Sequence, residues 1–121
     1  MIGSYYKKIG LEMGLKEAKG NVYGIYQGYL ISLFESAGIK SLYLNLALNT
    51  EADYANRQRV AEFIEQRKKE FKIANFQLDG TGLEIAFQDS MGTPKRIREF
   101  LDQLVAFLRQ IGVCGAECCC V

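Results

Sequence analysis

Four cysteines, Cys114, Cys118, Cys119 and Cys120, fall within the last eight residues, and residues 1–113 contain none. Thiolates gathered this closely can ligate zinc or an iron–sulfur centre. Paired zinc ligands usually have two to four residues between them, and three lie between Cys114 and Cys118 and four between Cys114 and Cys119. Gly115 between them suits a knuckle in which backbone amides approach the sulfurs. A tetrahedral site wants two separated pairs, and three adjacent cysteines do not easily reach one ion. The metal reading is therefore half of a zinc ribbon, completed by chain beyond residue 121 or by a second copy. Two further readings stand beside it: a tail of free thiols, and a lipid-bearing end. Cys118-Cys119-Cys120-Val121 is placed like a prenylation box but lacks the aliphatic middle residues.

Other chemistry is narrowed by what the chain lacks. There is no histidine, which removes Ser-His-Asp and Cys-His nucleophile systems and zinc sites that mix histidine with cysteine. Acid–base work would fall to carboxylates, lysine or tyrosine. Asp79, Glu84 and Asp89 surround one turn, but Asp79 and Asp89 are ordinary turn residues. Gly80-Thr81-Gly82 precedes a strand rather than a helix, so no phosphate-cradling loop is built there. No catalytic residues are assigned, and the reading leans against an enzyme. The cofactor expectation is none, or zinc on the cysteines.

A second group of residues suits contact rather than catalysis. Tyr23, Tyr26, Tyr29 and Tyr43 lie in one aromatic-rich stretch with Leu30 and Phe34. Alternation groups Tyr26, Leu30, Phe34 and Tyr43 away from the core, and tyrosines beside apolar side chains are characteristic of interface centres. These four are the expected partner-binding residues, unless residues 4–19 cover the same face. Gly24-Ile25-Tyr26 matches half of the motif of GIY-YIG nucleases. Leu42-Tyr43-Leu44 does not supply the other half, so the match is assigned to chance.

Basic residues cluster on two helices, Arg57, Arg59, Arg67, Lys68, Lys69 and Lys72 on one and Lys95, Arg96 and Arg98 on the other. Glu62, Glu65, Glu70 and Glu99 are interleaved with them, and the net charge is +1. A salt-bridged solvated surface is expected, without nucleic acid as partner.

The elements that position these groups can be read from periodicity. Tyr5, Ile9 and Met13 suit a short helix ending at Gly20-Asn21. Val22 to Phe34 reads as one strand, with Gly24 and Gly28 marking a bulge or bend. Leu42, Leu44, Leu46 and Leu48 alternate with Tyr43, Asn45 and Ala47, the period of a strand buried on one face. A helix is predicted over 52–71, with Thr50 and Asp53 at its start and Val60, Phe63, Ile64 and Phe71 inward. Phe76 and Leu78 lead through Asp79-Gly80 into Leu83, Ile85 and Phe87, a strong hairpin signal. The last helix is bounded by Thr93-Pro94 and Gly112 and carries a wide stripe through Ile97, Leu101, Leu104 and Leu108.

The expected fold is α+β in the order (α)-β-β-α-β-β-α: a four-stranded, mostly antiparallel sheet with two long helices on one face and the other face open. A single domain spans 1–113, followed by the cysteine-rich tail 114–121. With 121 residues and 49% hydrophobic composition a substantial core is expected without disulfides. No apolar run reaches the ~18–20 residues of a membrane span, and the cytoplasm is the expected compartment. This element order resembles the secretion-chaperone fold, in which small α+β dimers bind an unfolded partner segment. Such chaperones tend to be acidic, whereas this chain is close to neutral. The reading is a non-catalytic binding or assembly module, the N-terminal domain of a larger protein, with a protein partner or self-association. The alternative is a thiol-based redox or metal-handling protein working through Cys114–Cys120.

Overall fold

The computed structural model describes residues 8, 10–19, 21–35, 42–49, 54–88 and 94–115. Among the described residues there are seven strands: β1 (Lys16–Ala18), β2 (Asn21–Tyr26), β3 (Tyr29–Glu35), β4 (Leu42–Asn49), β5 (Ile73–Leu78), β6 (Gly82–Phe87) and β7 (Cys114–Gly115). Helical residues 8 and 10–12 form α1, and two longer helices follow, α2 (Tyr54–Arg67) and α3 (Pro94–Ile111). β1 to β6 make a six-stranded sheet in the order β1-β2-β3-β4-β6-β5, antiparallel at every pairing, and β7 pairs with the end of β4. The α+β class agrees with the sequence expectation; the four-strand count does not.

Two local features account for the two extra strands of the six-stranded sheet. The stretch read as one strand from Val22 to Phe34 is a hairpin, with Tyr26 paired to Tyr29 across a two-residue turn. Gln27 and Gly28 both have positive φ, 51° and 92°, as a type I′ turn demands at its two central positions. The N-terminal helix also stops earlier than Gly20. Leu15 N–H bonds to Gly10 O at 2.9 Å and Gly14 N–H to Leu11 O at 3.0 Å. This Schellman pair ends α1 and turns the chain into β1. Tyr5 and Ile9 of the predicted helix, the capping residues Thr50, Asp53 and Thr93, and the whole of the 36–41 connection lie outside the described residues.

β4 is the centre of the sheet. It pairs with β3 from Leu42 to Leu46, with β6 from Leu42 to Ala47, and with β7 at Leu48 and Asn49. Its four leucines are all buried, as are Ile31 and Leu33 of β3 and Leu83, Ile85 and Phe87 of β6. Buried side chains of both long helices join these residues in one core, among them Val60, Phe63 and Ile64 of α2 and Ile97, Phe100, Leu101, Leu104 and Leu108 of α3. Phe100 meets Phe71 and Phe87 edge-on, with ring centroids 5.2 and 5.8 Å away, and Phe63 stacks on Phe107 at 4.5 Å. These aromatic contacts lock the helices to each other and to β6.

α2 ends at Arg67, and Lys68–Lys72 form turns rather than the predicted last helical turn. Ile73 N–H bonds to Lys68 O at 2.9 Å with Lys72 at a φ of 51°, which closes the helix and launches β5. β5 leaves in register with β6 except for a bulge between Ile73 and Asn75.

α3 closes with the same Schellman geometry. Gly112 N–H bonds to Arg109 O and Val113 N–H to Leu108 O, with Gly112 in the left-handed region at 77°. Val113 is buried, and its carbonyl accepts the hydroxyl of Tyr29 at 2.6 Å. Arg109 donates to the carbonyl of Gln27 in the β2–β3 turn, and Tyr26 donates its hydroxyl to Asp102. The C-terminal half of α3 is thereby clasped to the first hairpin. β7 then runs beside Tyr29 and the carbonyl of Gly28, so the chain enters the sheet directly after Val113, at Cys114 and Gly115.

Tyr29→Phe removes one buried bond of that clasp and leaves the Val113 carbonyl without it. The expected loss is about 1–2 kcal/mol of unfolding free energy, read as a lower denaturant midpoint with unchanged slope. A midpoint equal to the parent's would show that the clasp adds nothing.

Candidate functional site

The alternation that buries one side of the sheet leaves the other side uncovered by the two long helices. Outward positions are Tyr23 and Ile25 on β2, Leu30, Ser32 and Phe34 on β3, and Tyr43, Asn45 and Ala47 on β4. Glu84 and Ala86 on β6, with Asn75 and Gln77 on β5, complete them; the strand registers place these side chains opposite one another across neighbouring strands. Ile25 is 55% exposed and Tyr23 43%, against a core in which nearly every large apolar side chain is sealed.

Of the expected partner-binding residues, Leu30, Phe34 and Tyr43 lie on this outer face and are half-buried. Phe34 and Tyr43 are direct cross-strand partners whose rings stack 5.2 Å apart at 12°. Tyr26 does not join them. It faces the core, 8% exposed, with its hydroxyl on Asp102 of α3. The predicted grouping is corrected by the β2–β3 turn: with two residues in the loop, Tyr26 and Tyr29 are partners and share the inner face. Ile25 and Leu30, partners on the next rung, share the outer one.

Cross-strand registers divide the outer face into rows. Tyr23 pairs with Ser32, Ser32 with Asn45, Asn45 with Glu84, and Glu84 with Gln77. This polar row crosses five strands. On one side of it lies the apolar pair Ile25 and Leu30, and on the other the row Phe34, Tyr43, Ala86 and Asn75. Asn45 Oδ1 is buried and accepts no hydrogen bond among the described residues. Asparagine is disfavoured at the centre of a sheet, and that was the sequence signal overlooked: Asn45 interrupts the apolar run of β4.

A shallow depression of ≈ 470 Å³ sits over this row. Tyr23, Leu30 and Ala47 line one part, Ser32 and Asn45 the floor, and Gln77, Asp79, Thr81 and Glu84 the β5–β6 side. Its charged lining residues are Asp79 and Glu84, both acidic. The Asp79 carboxylate caps its own turn, accepting Thr81 N–H at 2.8 Å, Thr81 Oγ1 at 3.0 Å and Gly82 N–H at 2.9 Å. The backbone N–H of Thr81 above all, then its hydroxyl and the N–H of Gly82, hold that carboxyl below the usual carboxylate range. The Arg57 charge acts on it in the same direction, so the turn holds an ionised carboxylate at the rim.

The cysteines are placed differently. Cys114 lies on β7, and Cys118, Cys119 and Cys120 lie outside the described residues. Among the described residues no group of three or more His, Cys, Asp or Glu side chains could hold a metal ion. No helix among them is long and apolar enough to cross a membrane. The interleaved helix charges pair locally, Lys68 with Glu65 and Arg96 with Glu99.

No protein-family model and no curated protein sequence matches this chain. Two solved structures do match by fold. One is a chain of the HopA1–SchA chaperone–effector complex, with a TM-score of 0.59 and 10% identity over 95% of this chain and 92% of that one. The other is a chain of the ExsC–ExsE complex, with a TM-score of 0.56 and 15% identity over 97% of this chain and 100% of that one. The shared fold runs nearly end to end, although few residues are shared.

A folded-state pKa lowered from 3.8 stabilises the fold above the unfolded value, and the contribution is lost as pH falls through the folded value. Asp79→Asn removes this part. Parent and variant should therefore differ in denaturant midpoint at neutral pH and converge in acid below the ordinary carboxylate range. A constant difference across pH would assign the turn's stability to geometry rather than to the charge.

Proposed function

We propose that this chain is a non-catalytic protein-binding module of the chaperone kind, holding an extended segment of a partner protein on the outer face of its sheet. The observation that carries the reading is the end-to-end fold likeness to chains of two complexes, one of them a chaperone–effector complex. The character of the face supports it. Leu30, Phe34 and Tyr43 offer apolar and aromatic area beside the exposed Tyr23 and Ile25. Interface centres combine this kind of aromatic surface with few charges. The face is one side of a six-stranded sheet backed by the core, so little ordering cost falls on the module when a partner docks.

On this reading the cysteines are not the working groups. Changing Cys114, Cys118, Cys119 and Cys120 together to Ser leaves partner capture intact.

Site-specific photocrosslinking tests the face directly. A benzophenone side chain at position 43, in the source cells, is expected to trap a polypeptide that the same group at Gln66 of α2 does not. Leu30→Asp in the same chain should abolish that product while the far-ultraviolet circular dichroism stays unchanged. Equal products from positions 43 and 66, or a product indifferent to Leu30→Asp, would count against the face.

A further inference from the structure

The outer face is not uniformly apolar, and its one interruption carries information about what it accepts. Ser32, Asn45 and Glu84 occupy the same row on three adjacent central strands, β3, β4 and β6. A face meant only for apolar contact would carry β-branched or aromatic residues there. Asn45 Oδ1 is buried with no donor among the described residues, and an unmet acceptor at that depth is costly. Its direct partner Glu84 is exposed and makes no ion pair among the described residues. The depression's charged lining residues are acidic, Glu84 and Asp79, in a chain whose net charge is +1.

Resting on the reading of this face as a partner-binding surface, we infer that the polar row selects an arginine in the bound segment, flanked by apolar residues two positions away on each side. The guanidinium is the donor set that fits. Directly opposed side chains on neighbouring strands start about 5 Å apart at Cβ, within the span of one planar fork of five donors. One edge meets the Glu84 carboxylate. The other meets Asn45, whose amide turns outward about its last side-chain bond, a soft torsion. A lysine brings the charge without the fork.

The spacing follows from the rows. Same-face residues along a strand are about 6.7 Å apart. The polar row lies one such step from Ile25–Leu30 and one step from Phe34–Tyr43. An extended segment lying along the strands advances by the same step every two residues. Arginine over the polar row therefore places its neighbours at −2 and +2 on the Leu30 and Phe34–Tyr43 rows. A helix covers that step in about four residues, so the spacing also reports the conformation of the bound segment.

The test uses the full chain and a display library of random 12-residue peptides as the probe. Enriched sequences are expected to carry arginine with apolar residues at −2 and +2. A synthetic representative should lose about tenfold in affinity when its arginine becomes citrulline, and about tenfold against the Glu84→Gln chain. The two losses should not add, because they remove the same bond. Asn45→Leu should shift selection from arginine to apolar residues at that position. Enrichment of apolar peptides without arginine, lost on Leu30→Asp but not on Glu84→Gln, would overturn the arginine while leaving the binding face standing. Arginine with apolar residues only at −4 and +4 would overturn the extended geometry. No enrichment, or enrichment indifferent to Leu30→Asp, would end both readings.

Discussion

The period of two in β4 is the constraint on which the rest of the molecule depends. Leu42, Leu44, Leu46 and Leu48 must all face the helices, and a slip of one residue would expose them together at a gross cost of roughly 6–12 kcal/mol. With that register held, β3 and β6 take their places on either side, and the core residues of both follow in phase. The same period sends Tyr43, Asn45 and Ala47 to the opposite face. The core and the candidate site are thus two consequences of one alternation. β7 adds a further tie, since the chain leaving α3 returns to the end of this same strand.

The β2–β3 turn is the second determinant, because parity on a hairpin depends on loop length. Two residues at Gln27–Gly28 make Tyr26 and Tyr29 partners on the inner face and Ile25 and Leu30 partners on the outer one. One more loop residue would change that assignment on one strand. The turn is held from behind by Arg109, Asp102 and the Tyr29–Val113 bond, so α3 stabilises the hairpin that carries half of the outer face. Stability and presentation of the face are coupled through this helix.

Fold likeness at 10% and 15% identity over nearly the whole chain is intelligible in these terms. What must persist is a pattern of inward apolar positions, two amphipathic helices and turn residues at the right places, and many sequences supply it. The outer face is free of that requirement. Its residues can therefore differ from one such protein to the next without cost to the fold.

Several elements were legible in the residues alone. The leucine alternation of β4, the Asp79-Gly80 hairpin, the inward stripe of α3 and its stop at Gly112 all follow from local periodicity and turn chemistry. The placement of Leu30, Phe34 and Tyr43 away from the core was legible for the same reason. The strand count was not. Gln27 carries no turn signal of its own, and its positive φ of 51° is imposed by the pairing of β2 with β3, a contact that local propensity does not encode. Nor could the chain by itself bring Ser32, Asn45 and Glu84 into one row, because they come from three strands whose order is set by the crossover through α2 and by β6 inserting between β4 and β5. The sequence determined which residues must be buried, since burial is a property of each segment's own pattern. The tertiary structure decided which exposed residues stand together, since that depends on register between strands far apart in the chain.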